Sequence, residues 1–186
     1  MKVRTRRLLV KLAPMYLCLG ILLVGLVAIP SFPANASDNS PRAFIRAAAA
    51  GGPIYKYLIH VGTGGPVACG DSLVPIYVGA RTGDTEKDVV TALNKLFATP
   101  KNSGGLFNPL ADSKLKARGV EYNPSNRNVT VHLGGRLVKP KTSCDIKRAR
   151  AMVWATAQQF PEVQHAVIWI GSSLLGDLLA ANDRAK

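Results

Sequence analysis

The stretch from Cys144 to Ile170, CDIKRARAMVWATAQQFPEVQHAVIWI, constrains the fold more than any other part of the chain. Ile146, Ala149, Met152, Val153, Thr156 and Phe160 recur at helical spacing and predict one apolar stripe. Asp145 is placed to cap the helix start, where a carboxylate can accept from unpaired amides. Pro161 ends the helix, because it lacks an amide proton and disfavours helix before it. Ala166 to Ile170 is then an unbroken apolar run rich in β-branched and aromatic residues, which predicts a strand covered on both faces.

The N-terminus predicts a compartment. Lys2, Arg4, Arg6, Arg7 and Lys11 precede an apolar run that ends at Ile29, and Pro30 and Pro33 break it. Counted from Leu17 the run is about 13 residues, and counted from Leu12 about 18; the short count suits a signal peptide and the long one a bilayer span. Ala34-Asn35-Ala36 places small residues where a signal peptidase reads, so cleavage is expected between Ala36 and Ser37. The alternative is a retained transmembrane anchor. In both cases the basic end stays on the cytoplasmic side and the rest is exported. Cys18 follows bulky residues, unlike a lipid-attachment cysteine.

Residues 1–36 are therefore a signal peptide or anchor. Residues 37–53 are a linker, 54–179 one α+β domain and 180–186 a flexible end. The formal net charge is +13. The first 36 residues hold five cations and no acid, which leaves +8 for the remainder. That balance favours anionic partners.

Export also frames the cysteines. Removal of the signal leaves Cys69 and Cys144, and an even pair in an oxidising compartment predicts a disulfide. The alternative is two unrelated thiols, one of them a small buried hydrophobe. Neither lies in a CxxC pair and no histidine stands at ligand spacing, so no metal site is expected.

Along the domain, Ile54–Val61 alternates as a strand, and Leu73–Ala80 reads as a second in which Pro75 implies an edge or a bulge. Gly62-Thr-Gly-Gly-Pro66 lacks the following helix and the GK[ST] ending of a phosphate loop. Asp84 or Thr85 caps a helix whose apolar face is Val89, Val90, Leu93, Leu96 and Phe97. Residues 101–113 form a long loop that Leu106, Phe107 and Leu110 pack down. Leu115–Tyr122 and Asn128–Leu133 make a hairpin through a turn-rich link. A short apolar tail with about one helical turn follows Gly171. The order β-β-α-β-β-α-β predicts an α+β fold, a mixed sheet of about five strands with two helices on one face.

Chemistry is sparse. His60, His132 and His165 fall in or beside strands and show no catalytic setting. Asp71-Ser72 lacks a nucleophile elbow, and Asp71 reads as a turn hydrogen-bond acceptor. No catalytic residue and no cofactor are expected; an unrecognised hydrolase ranks third among the functions. The densest charge cluster is Arg136, Lys139, Lys141, Lys147, Arg148 and Arg150. It reads either as the solvated face of an amphipathic helix or as a surface for an anionic partner.

The domain resembles the GerMN domain of exported sporulation and germination proteins. The residues that carry the resemblance are VVTALNKLFATP from Val89 to Pro100, Gly104-Gly105-Leu106 with Asn108 and Leu110, and Val129–Leu133 with Gly135. Ala151–Phe160 with Pro161, Glu162 and Val163, followed by Val167–Gly171, completes it. Cys69-Gly-Asp-Ser-Leu-Val-Pro and Cys144-Asp resemble a cysteine-bearing subgroup, which supports the disulfide. The resemblance implies a fold like the ring-building motifs of secretion and sporulation machines. It implies work in the bacterial envelope through protein–protein or scaffold contacts, and brings no catalytic residues. The second function reading is a binding module for anionic envelope polymer or lipid head groups. Expected partners are thus an envelope protein or an anionic envelope polymer, with no nucleic acid. A homo-oligomer is possible, and the N-terminal segment meets the membrane if it is not removed.

Overall fold

The computed structural model describes residues 51–180. The export segment, the Ala36–Ser37 cleavage position, most of the linker and the tail beyond 180 lie outside these residues. Among the described residues no helix is long and apolar enough to cross a membrane.

The elements are β1 (Pro53–His60), β2 (Ser72–Ala80), α1 (Thr85–Phe97), β3 (Asn102–Ser103) and β4 (Leu106–Phe107), then β5 (Lys114–Asn123) and β6 (Asn128–Arg136). After these come α2 (Ser143–Ala157), β7 (His165–Ile170), β8 (Ser173–Leu174) and α3 (Leu175–Ala180). The fold is α+β. The strands form two four-stranded sheets, ordered β2-β1-β4-β3 and β5-β6-β7-β8, where the sequence predicted one sheet of about five.

The division has a local cause. On one side β1 pairs with β2 along its whole length, but on the other only Ile59 finds a strand partner, Phe107 of β4. The rest of that edge meets side chains of the α2 segment. Gln159 Oε1 accepts from Tyr55 N at 2.7 Å, and Gln159 Nε2 donates to Tyr55 O at 2.6 Å. Thr156 Oγ1 accepts from Tyr57 N at 3.1 Å. A side-chain amide and a hydroxyl thus occupy the places of a neighbouring strand. At the edge of β5, α1 does the same: Asn94 Oδ1 accepts from Ala117 N and Glu86 Oε1 from Tyr122 N, each at 2.9 Å.

β5 and β6 are an antiparallel hairpin, whereas β6 and β7 run parallel with α2 as the crossover. Parallel neighbours need such a crossover, because a tight turn only reverses the chain. Leu115, Ala117, Val120, Val129, Val131, Ala166 and Ile168 turn one face of this sheet inward. Val89, Leu93 and Leu96 of α1, Met152 and Val153 of α2, and Ile54 and Leu58 of β1 join them in one buried cluster. The opposite face is open. Val167 is 37% exposed, so β7 is covered on one face rather than on both.

Asp84 caps α1 by accepting from Lys87 N at 3.1 Å, as its position predicts. The cap of α2 is Thr142, whose Oγ1 accepts from Asp145 N at 3.1 Å; it is not Asp145. The helix starts earlier than its apolar stripe suggests, so Asp145 falls inside the first turn and its carboxylate is free for another task. β2 is the edge strand that Pro75 predicts.

Candidate functional site

Two buried charge clusters and one open face account for the polar residues that matter. The first cluster joins the segment before β2 to the start of α2. Cys69 and Cys144 form a disulfide with their Cα atoms 5.9 Å apart. Beside it, Arg148 Nε donates to Asp71 Oδ2 at 2.6 Å, and Arg148 Nη1 to Asp145 Oδ1 at 2.8 Å. Asp71 is fully buried, and its other oxygen accepts from Gly62 N at 2.8 Å. The hydrogen bond from Arg148 holds the Asp71 carboxyl below the usual carboxylate range, although burial acts the other way.

This arrangement answers two questions left by the sequence. The glycine-rich loop after β1 is anchored by Asp71 rather than shaped around a phosphate. Ser72 and His60 are register partners across β2 and β1, which sets a serine, a histidine and an aspartate side by side in sequence and register. Yet both Asp71 oxygens are committed to Gly62 and Arg148, and Ser72 Oγ lies 2.8 Å from Thr63 Oγ1. Asp71 therefore holds a loop to a helix and does not orient an imidazole.

The second cluster ties the β2–α1 turn to the turn after α2. Arg81 is almost fully buried; it pairs with Asp88 at 3.4 Å and with Glu162, and its guanidinium lies 5.0 Å from the Phe160 ring centroid. Thr82 donates to Asp88 from both N and Oγ1, and Thr85 Oγ1 donates to Glu162 at 2.6 Å. Burial works to raise the Glu162 carboxyl, but the hydrogen bonds from Thr85 and Arg81 outweigh it and hold the group low.

The six cations expected to act together are separated by these contacts. Arg148 is withdrawn into its ion pairs, with a side chain 14% exposed. Arg150 is exposed and lies 5.6 Å from the Trp154 ring. Lys141 and Lys147 are exposed, and Lys139 is half-buried. Arg136 ends β6 directly opposite Lys114 of β5.

That last register builds the open face that sequence reading missed. Lys114 and Lys116 alternate with buried Leu115 and Ala117, so both point outward. Arg118 is the extra residue of a bulge between Ala117 and Gly119. A Cβ at Gly134, across the pair, would lie 2.8 Å from Arg118 Cγ and 2.9 Å from its Nε. The arm of Arg118 thus rests on the bare backbone of Gly134, on the same face as Lys116. Further along this face His132 pairs in register with Trp169, and Thr130 with Val167. Lys114, Lys116, Arg118 and Arg136 form no ion pair among the described residues. The alternation from Lys114 to Arg118 was visible in the sequence, but its meeting with Arg136 depends on the hairpin register. A shallow cavity of about 440 Å³ adjoins the row, between β5 and the residues that end α1. Among the described residues no group of three or more histidine, cysteine or carboxylate side chains is placed to hold a metal.

No family model and no curated protein matches the chain. Among solved structures it is similar to the tandem GerMN domains of the sporulation protein GerM from Bacillus subtilis, at 14% identity with a TM-score of 0.47. That similarity covers 67% of this chain and 40% of the other, so the chain spans well under half of that structure's length. It is also similar to a protein described as a lipoprotein from Clostridium perfringens, at 16% identity and a TM-score of 0.41, over 66% of this chain and 77% of that one. The first of these is built of the domain type that the sequence resembles.

Proposed function

We propose that this chain is an exported domain of the bacterial cell envelope that works by contact, through protein–protein or scaffold interactions, and not by catalysis. The observation that carries the reading is the Cys69–Cys144 disulfide, which closes a separation of 75 residues and suits an oxidising compartment. The basic apolar N-terminus supports the same address. The buried charges support contact over chemistry. Asp71, Asp88 and Glu162 are each spent on an arginine that joins two elements, which leaves none of them poised for proton transfer.

The test uses the full chain carrying a C-terminal tag in a bacterial host. Protease added to intact cells removes the tag, and a membrane-impermeant crosslinker joins the chain to an envelope component. A tag protected in intact cells overturns the export reading. The crosslinks persist in the variants His60→Ala and Ser72→Ala, which share the strand pair nearest Asp71. Hydrolysis of envelope polymer by the purified chain that is lost in both variants favours the hydrolase reading instead.

A further inference from the structure

We propose that the row Lys114, Lys116 and Arg118, with Arg136 beside it, binds a linear phosphodiester polymer of the polyol-phosphate class. The proposal rests on the contact reading above and names the partner of that contact.

Three observations carry it. First, Lys114 and Arg136 are direct cross-strand partners. Like charges placed opposite each other destabilise a sheet, so the fold itself has no use for this pair. Some cations of the domain are engaged, Arg81, Lys87 and Arg148 with carboxylates and Lys56 with Thr99 Oγ1. Lys141 and Lys147 also form no ion pair among the described residues, so the cross-strand register, and not the lack of a partner, sets the row apart. Second, the cations are close together. Lys114 and Lys116, alternate residues of one strand, stand about 6.6 Å apart, and the bulge residue Arg118 lays its arm back over Gly134, the register partner of Lys116. Export selects an envelope polymer over nucleic acid, whose backbone spaces its phosphates by three carbons as well. Third, the charge is a row and not a sheet-wide field. Beyond Arg118 the same strand exposes Glu121, and the same face continues with Thr130 and Val167. A flat anionic membrane would have to meet all of these, whereas a single polymer strand follows the row alone. Gly134 contributes by leaving room for the Arg118 arm to lie along the face.

The experiment follows fluorescence anisotropy of labelled poly(glycerol phosphate) with the full chain in neutral detergent. Binding is expected to weaken with salt, and four contacts correspond to a log–log slope of about −3. Lys116→Gln combined with Arg118→Gln should weaken binding at least about tenfold and reduce the slope by roughly half. Lys147→Gln combined with Arg150→Gln, on α2, should leave both unchanged. The substituted side chains are exposed, and an unchanged melting temperature verifies that each variant is folded. No binding at low salt overturns the proposal, and so does equal binding by the sheet variant. Tighter binding to phosphatidylglycerol vesicles, or to oligothymidylate of matched charge, assigns the row to another occupant and also overturns it. Because the assay uses purified protein, its failure is distinct from a failure of export.

Discussion

Arg148 stands between two carboxylates, and the nearer one, Asp71, has no exposed surface. Removing one partner of such a pair leaves an uncompensated buried charge, which costs about 3–5 kcal/mol. Arg148→Met should therefore lower stability by about 3 kcal/mol in urea unfolding, near the bottom of that range because Gly62 N still donates to Asp71. The pH dependence gives a second readout. In the native chain the Asp71 carboxyl titrates lower when folded than when unfolded. Its contribution is fully present above the ordinary carboxylate pKa of about 4 and is lost as pH falls through the depressed value. In Arg148→Met the chief lowering cause is gone and burial remains, so the Asp71 contribution should reverse sign. Urea midpoints between pH 3 and pH 6 would check this; an unchanged slope would sink it. In the sequence Arg148 is legible only as one cation in a basic run. Its partner lies 77 residues upstream, and no local pattern connects them.

At the scale of elements, the five long strands, both main helices and the hairpin were legible, because apolar periodicity and Pro161 mark them locally. The number of sheets was not. β3 and β4 are two residues each, too short for any periodic signal; β3 pairs with β4, and β4 joins β1 through a single register pair. Nor did the sequence disclose that helix side chains would satisfy strand edges. Gln159 and Thr156 looked like ordinary helix-end polar residues; they are the partners of Tyr55 and Tyr57. Gln159→Ala should leave the Tyr55 amide and carbonyl without protein partners, at about 1–2 kcal/mol. Hydrogen exchange at Tyr55 should accelerate while exchange at Val131, deep in the other sheet, follows only the global loss. Equal acceleration at both would show that Gln159 acts on the fold as a whole.

For the whole molecule, the disulfide and the Asp71–Arg148 pair fasten the same two segments, residues 69–71 and 144–148. Replacing both cysteines by serine should cost roughly 4 kcal/mol in a chain-entropy account. The ion pair still marks the native register, so the reduced protein should refold to the same structure with a lower midpoint. Intact mass after alkylation without reductant checks the bond itself, and two modified thiols would refute it. The pairing was legible from cysteine parity and compartment. The open cationic face was not, because it exists only once β5 and β6 are in register. The satisfied edge of β1 also bears on how the chain is made. Tyr55 and Tyr57 precede Gln159 and Thr156 by 104 and 99 residues. Until those later residues have joined the fold, β1 is a hairpin strand with one bare edge, open to any other strand that passes. The last third of the chain therefore serves as a late seal, and a chain cut short before residue 156 would stay competent for mispairing.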